Sequence, residues 1–432
     1  MIQIFQQNIN EISSLRKQLL HISHNFSVYS ILDSNNWKFD KYKNYDFLAA
    51  FGAAKIIQAN DELNSFESIR EEHQINPEWL FGYFSYEVKN ELEDLKSYNF
   101  DGVNAPKMQF FVPQLLILVK NNILSILIHE DYQKDKTVKK SIKQLFISET
   151  KSPKDSPSIS IQHRITKEEY IGSINKIRQH IKHGDVYELN FCQEFYAENI
   201  EIEASDVYQK LVDKSPTPFS AFLRFEDIYI ISASPERFLN KIGNKIISQP
   251  IKGTARRHSE KNNDNKEVTD LKNNQKERAE NIMIVDLVRN DLAHTSKKNS
   301  VIVEELCEIY SFKQVHQMIS TISSELNEKY DFIDVLKSTF PMGSMTGAPK
   351  IRAMQLIEKY EVTKRGIYSG AIGYITPEGD FDFNVVIRSL IYNKADKYLS
   401  FIAGGAITYQ SDPEKEYAES LLKAEAIRDV LS

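Results

Sequence analysis

Four glutamates stand in two pairs at the same spacing. Glu277 and Glu280 lie in KERAENIMIVDLVRND, and Glu416 and Glu419 lie in EKEYAESLLKAEAI near the C-terminus. Residues three apart share a helix face, so two helices can each turn two carboxylates toward one point. Oxygen clusters of that kind suit a hard divalent cation such as Mg2+. On spacing alone, a solvated face with Glu416, Glu419 and Lys423 in weak ion pairs also fits. The first pair argues more strongly. ENIMIVDLV is dense in apolar residues, so that helix should be largely buried, and buried carboxylates need partners.

Two cations stand in apolar surroundings. Arg388 falls within FNVVIRSL, which reads as a strand. An unpaired guanidinium there is costly, so it requires a carboxylate from the protein or from a ligand. Lys252, in QPIKGTARR, reads either as a surface lysine or as a desolvated amine. Desolvation lowers a lysine pKa and makes the amine a nucleophile. Two glycine-bearing segments add to these. GSMTGAPK (343–350) leads into the helical pattern IRAMQLIEKY, whose start can hold an anion on backbone N–H groups; it lacks the P-loop spacing. IAGGAIT (402–408) places Gly404 and Gly405 at the end of a strand, either for a tight turn or for close approach of a ligand.

The elements that must position these residues follow from periodicity. SVYSILDS (27–34) reads as a strand. LFGYFSYEV (80–88) reads as a strand entering a helix, and FFVPQLLILVK and NILSILIHE read as a strand pair around Asn121–Asn122. SETKSPKDSPSIS is polar and holds two prolines, so it reads as a linker (148–164) between an N-terminal region (1–147) and a second region (165–432). Thr166 with Glu169 has capping-box spacing, and Gly184 fits the end of the helix it begins. VYELNFCQEF reads as a strand, FSAFLRFEDIYIISAS as a hairpin, and 266–358 as helix-rich. AIGYIT, FNVVIRSLIY and YLSFIAGG return to strands. Ser411, Asp412 and Pro413 then begin a last helix. The pattern is α+β with mostly antiparallel strands.

The chain of 432 residues carries a formal net charge of −6, with 41% hydrophobic and 26% charged residues. This is the composition of a globular protein and offers no basic footprint for nucleic acid. Its apolar runs are too short to span a bilayer, and the start lacks the layout of a signal peptide, so a cytoplasmic, membrane-free location is expected. Cys192 and Cys307 are expected as reduced, buried thiols. Neither sits in a nucleophile elbow of the glutaminase kind.

Together the segments SASPERF, PIKGT, RAENIMIVDLVRNDL, TGAPKIRAM, YSGAIGY, VVIRSL, AGGAI and EYAESLLKA resemble, in order, the chorismate-utilising enzymes. The resemblance is strong over about 165–432 and looser through FGYFSYEVKNELE and FFVPQLLIL. It implies an α/β sandwich of two large, mostly antiparallel sheets flanked by helices, with the site in a central cleft. It also implies that Glu280 and Glu419 bind Mg2+, with Glu277 and Glu416 beside them. Arg388, Tyr368, Gly404 and Lys423 would bind the carboxylates of chorismate, with Gly347, Ala348, Ser344 and Gln317 also at the substrate. Glu236 would be the general acid for the departing 4-hydroxyl.

Two positions separate branches of the family. PIKGT, where anthranilate-forming members read PIAGT, resembles the aminodeoxychorismate-forming branch. There Lys252 would add to the ring at C2 as the 4-hydroxyl leaves, and ammonia at C4 would then expel it. Glu188, in YELNFCQEF, stands where isochorismate- and salicylate-forming members carry a water-activating lysine, which disfavours water addition. The expectation is therefore 4-amination of chorismate toward p-aminobenzoate and folate, with ammonia from a glutamine amidotransferase partner. The nearest alternative is anthranilate formation. Departures from the family pattern are Gln317 for a frequent histidine, with His316 one place earlier, Ala406 and Ala293 for glycines, and Asp33 for a glutamate in ILDS. If 317 lies on a helix, one step turns a side chain by about 100°, so His316 should not substitute.

Overall fold

The computed structural model describes residues 1–9, 12–37, 40–59, 64–147 and 158–432. Of the expected linker, 148–157 lie outside the described residues. Its remainder is tied down: Ile159 N donates to Leu431 O, and Gln162–His163 pairs with the strand Glu188–Ala197.

The strands form two antiparallel runs that share two long strands, Phe47–Gln58 and Met108–Lys120. From the C-terminal half of Met108–Lys120 one run leads to Ile123–Ile128 and Ile2–Asn8. From Phe47–Gln58 it continues through Val28–Asp33, Phe219–Phe225, Ile228–Ser234, Ser389–Asn393 and Tyr398–Ile407 to Glu188–Ala197. The other run leaves the first half of Met108–Lys120 through Leu80–Phe84, Ala371–Ile375, Phe381–Val385, Arg237–Ile242 and Lys245–Gln249. It ends at Val315–Glu325, flanked by Ile251–Arg256 and Ile302–Ser311. A register shift between Ala53 and Lys55 marks where the shared pair passes from one run to the other. Bulges of this kind bend a strand and let it serve two sheets. This is the α+β sandwich expected, and residues of the N-terminal region contribute strands to both runs.

Many local readings hold. The hairpin at Asn121–Asn122 turns with both residues at positive φ, the left-handed pair that suits a two-residue turn. Thr166 and Glu169 form the capping box of the helix Lys167–Lys182, and Gly184 follows it at φ +83°. Asp412 caps Pro413–Leu431, with Pro413 in the first turn.

Two readings need correction. The stretch 266–358 is helix-rich as expected but not without strands: Ile302–Ser311 and Val315–Glu325 form a hairpin within it. Among the described residues Ile302–Ser311 pairs with that partner alone and alternates between exposed and half-buried positions, so its polar residues hide the strand period. FNVVIRSLIY is not one strand either. It breaks between Phe381–Val385 and Ser389–Asn393, and Arg388 sits in the bend at φ +49°.

Large apolar clusters fill the interior. One packs Phe66, Phe84, Phe110, Phe340 and Phe383 beneath the helix Gln275–Ala293. Another packs Phe51, Phe222 and Phe401 with Ile427 from the buried face of Pro413–Leu431. Each acid-bearing helix is thus seated by its apolar face on a core, which leaves its glutamates at the gap between them. Among the described residues no helix is long and apolar enough to cross a membrane.

Candidate active site

A cleft of about 870 Å³ opens where the two strand runs and the two acid-bearing helices meet. That is ample room for a small organic ligand. Glu277 and Glu280 face it from Gln275–Ala293, and Glu416 and Glu419 from Pro413–Leu431. All four glutamates paired by spacing thus line one cleft. Glu280 and Glu416 are buried, and Glu419 is about half exposed at the rim.

The electrostatics are those of an overfilled acidic nest. Burial pushes Glu280 up to about 7, against the opposing pull of Lys252, and Glu188 adds to the rise. Glu277 and Glu416 are raised as well, chiefly by burial. Glu419 is lowered, chiefly by Lys423, whose Nζ lies 2.7 Å from its Oε1. Lys276, absent from the sequence prediction, places Nζ 3.7 Å from Glu280 Oε1 and 3.8 Å from Glu416 Oε1. Its i,i+4 spacing to Glu280 was the available signal. Glu280 Oε1 is buried without a hydrogen bond. Such donors fit a divalent cation chemically, although among the described residues no three ligands are already gathered at metal spacing.

Gly404 and Gly405 lie in mid-strand, not in a turn. A Cβ on Gly404 would stand 2.0 Å from Phe191 O, so the neighbouring strand demands glycine there. Gly405 faces the nest: a Cβ there would lie 3.4 Å from Lys423 Nζ and 3.5 Å from oxygens of Glu416 and Glu419. Lys423 Nζ also donates to Gly404 O at 2.9 Å.

Across the cleft stand the nucleophile and acid candidates. Lys252, on Ile251–Arg256, is buried in the wall and donates to Glu188 Oε1 at 2.7 Å. Its pKa is raised, not lowered as desolvation alone implied. Burial does pull it down, but Glu188, Glu280 and Glu236 outweigh that. Glu236, just before Arg237–Ile242, is buried, and burial raises it to about 7, against the pull of the Ser344 hydroxyl and Lys252. It can therefore hold a proton near neutrality.

Arg388 lines the same cleft, and among the described residues no carboxylate pairs with it. Burial lowers it to about 10 despite Glu236 nearby. A cation in a left-handed bend, facing a cavity and without an ion-pair partner among the described residues, is available to an anionic ligand.

Tyr368, Ser344 and Gln317 also line the cleft. Tyr368 Oη lies 3.7 Å from Cys192 Sγ. Gln317 is buried with Oε1 unpaired. It lies on a strand, so the helical comparison with His316 does not apply; adjacent strand residues face opposite ways. His316 accordingly turns away, to Asp264 at 3.0 Å and Ser311 at 2.8 Å. Gly347 and Ala348 do not line the cleft. They pair with Leu189 and Glu188, and a Cβ on Gly347 would stand 2.2 Å from Glu188 O. Their place is behind Glu188, as a brace.

A second brace was missed in the sequence. Arg365 is buried and donates to Met345 O at 2.6 Å, Asn190 O at 2.8 Å and Glu361 Oε1 at 2.7 Å. It ties the segment bearing Ser344 to the strand bearing Glu188. Cys192 and Cys307 are buried free thiols.

Known proteins resemble this chain in sequence and in fold. Residues 26–429 match the family described as chorismate binding enzyme. The chain is 33% identical over 365 residues to anthranilate synthase component 1 of Aquifex aeolicus, covering 81% of this chain and 73% of that one. It is 30% identical over 398 residues to aminodeoxychorismate synthase component 1 of Bacillus subtilis, covering 88% and 84%. The crystal structure of anthranilate synthase component I from Streptococcus pneumoniae superposes with a TM-score of 0.79 at 25% identity, covering 93% of this chain and 92% of that one. A match across nearly the whole chain, on a fold with the same architecture, makes this protein a member of the chorismate-binding enzyme family.

Proposed function

We propose that this chorismate-utilising enzyme is of the aminodeoxychorismate synthase component 1 type and aminates chorismate at C4. The observation that carries the proposal is the position of Lys252. Its amine is in the wall of the cleft that Glu280 and Glu419 border, with Arg388 and Glu236 in the same cavity.

In this reading Arg388 and Lys423 take the carboxylates of chorismate. Glu236, protonated near neutrality, gives its proton to the departing 4-hydroxyl. The neutral amine of Lys252 adds at C2 as that hydroxyl leaves as water. Ammonia then adds at C4 and displaces the lysine, so the amino group ends at C4 and the enolpyruvyl group is retained. Glu280 and Glu419, with Glu277 and Glu416 beside them, would hold Mg2+, which would supply positive charge to a ring carboxylate. Occupancy would require Lys276 to withdraw from between Glu280 and Glu416. Ammonia would come from a partner glutamine amidotransferase, since neither buried cysteine is placed as a glutaminase nucleophile.

The similarity to the Aquifex aeolicus anthranilate synthase component 1 favours a second reading, amination at C2 with loss of pyruvate. Incubating the chain with chorismate, Mg2+ and an ammonium salt distinguishes them. A product that retains the enolpyruvyl group supports the first reading. Release of pyruvate with a fluorescent aminobenzoate supports the second.

A further inference from the structure

Lys252 cannot attack carbon while it is an ammonium, and the structure surrounds it with negative charge. Glu188, Glu280 and Glu236 act on it from three separate segments of the chain. Only Glu188 is in hydrogen-bond contact, at 2.7 Å from Nζ. Glu188 is buried, does not line the cleft, and reaches Lys252 from within the wall. Its second oxygen, Oε2, is buried without a partner. The carboxylate is held in place. Glu188 begins the strand Glu188–Ala197, its backbone pairs with Ala348, and Arg365 fixes Asn190 two residues on.

We propose that Glu188 is the base that takes the proton from Lys252, a role that rests on Lys252 being the nucleophile. The Lys252 ammonium passes one proton to the Glu188 carboxylate. The free amine forms the N–C2 bond, both ring double bonds shift by one position toward C4, and the C4–O bond breaks with the proton of Glu236, giving water. The adduct is a secondary ammonium. When ammonia forms the C4–N bond, the N–C2 bond breaks and Lys252 leaves as neutral amine. Protonated Glu188 then returns its proton to Lys252, and the new C4 ammonium returns one to Glu236. Each group ends as it began, and chorismate plus ammonia has become aminodeoxychorismate plus water.

The test follows adduct formation in the full chain with Mg2+ and chorismate but no ammonia. Intact-mass spectrometry gives the rate, and peptide mapping gives the site. The wild-type enzyme is expected to accumulate chorismate less water on Lys252. Glu188→Gln is expected to slow that step by roughly 10²-fold or more near neutrality. The rate should recover as pH rises and solvent takes the proton, and KM for chorismate should change little. Glu188→Asp, which retains a carboxylate, should fall between the two. Adduct formation at the wild-type rate in Glu188→Gln, or a loss unaltered by pH and shared equally by Glu188→Asp, overturns the role of Glu188 alone. Absence of any wild-type adduct while C4-aminated product still forms overturns the covalent reading, and this role with it.

Discussion

Glu280 and Glu416, on different helices, share a single ammonium: Lys276 Nζ lies 3.7 Å from one and 3.8 Å from the other. Neither distance is a hydrogen bond, so the lysine balances charge without satisfying either carboxylate. A nest in this condition should accept a stronger cation. Glu280→Gln and Glu419→Gln are each expected to weaken the Mg2+ dependence of activity severely, shifting the titration by tenfold or more (about 1.4 kcal/mol). A normal Mg2+ titration in either variant would remove that residue from the metal site.

Glu236 at about 7 makes a pH prediction. As general acid it must be protonated, so kcat should fall as pH rises above roughly 7. Glu236→Gln should lose on the order of 10²–10⁴-fold in kcat and abolish that alkaline limb. A pH profile unchanged in the variant would take the acid role from Glu236.

Stability should show the same groups with a definite sign. Glu236 and Glu280 have folded pKa values raised from 4.5 to about 7. Their contribution to ligand-free stability is therefore full below about 4.5 and lost as pH rises through about 7. For fully buried Glu236 this is on the order of 3 kcal/mol. Thermal melts from about pH 5 to pH 8 should show a falling Tm, and Glu236→Gln should flatten the slope. A Tm that rises over that window in the wild type alone would contradict the assignment.

How much of this was legible in the sequence depended on range. The acid pairs, the capping box at Thr166 and Glu169 and the Asn121–Asn122 hairpin are local, and each was readable from spacing. The cleft residues Glu236, Lys252 and Arg388 were identified by motif, but their surroundings were not. The Lys252–Glu188 pair joins strands distant in the chain, so the sign of the lysine shift was hidden: desolvation was foreseeable and the compensating carboxylate was not. Arg388 looked like part of one strand because its neighbours are apolar, whereas they are apolar on both sides of a bend. The hairpin Ile302–Ser311 with Val315–Glu325 was obscured by its exposed outer strand.

Arg388 should act in binding. Among the described residues it forms no ion pair, so Arg388→Gln breaks none, and the loss of its positive charge should raise buried Glu236 further. A charged hydrogen bond is worth about 1.5–3 kcal/mol, which predicts a rise in KM for chorismate of roughly ten- to a hundredfold. An unchanged KM would place the carboxylate elsewhere.

Ammonia supply is testable on the purified chain. With chorismate and Mg2+ it should use ammonium and not glutamine, and glutamine should become a donor only when an amidotransferase subunit is added. Glutamine turnover by the isolated chain would contradict the need for a partner.

The central claim is that the Lys252 amine carries the 4-amination. The most direct measurement is the rate of C4-aminated product from chorismate, Mg2+ and ammonium in Lys252→Ala beside the wild type, with every product identified by mass and fluorescence. The account predicts loss of most C4-aminated product, with any residual turnover shifted toward aminobenzoate and pyruvate. An unchanged rate of C4-aminated product in Lys252→Ala would contradict it.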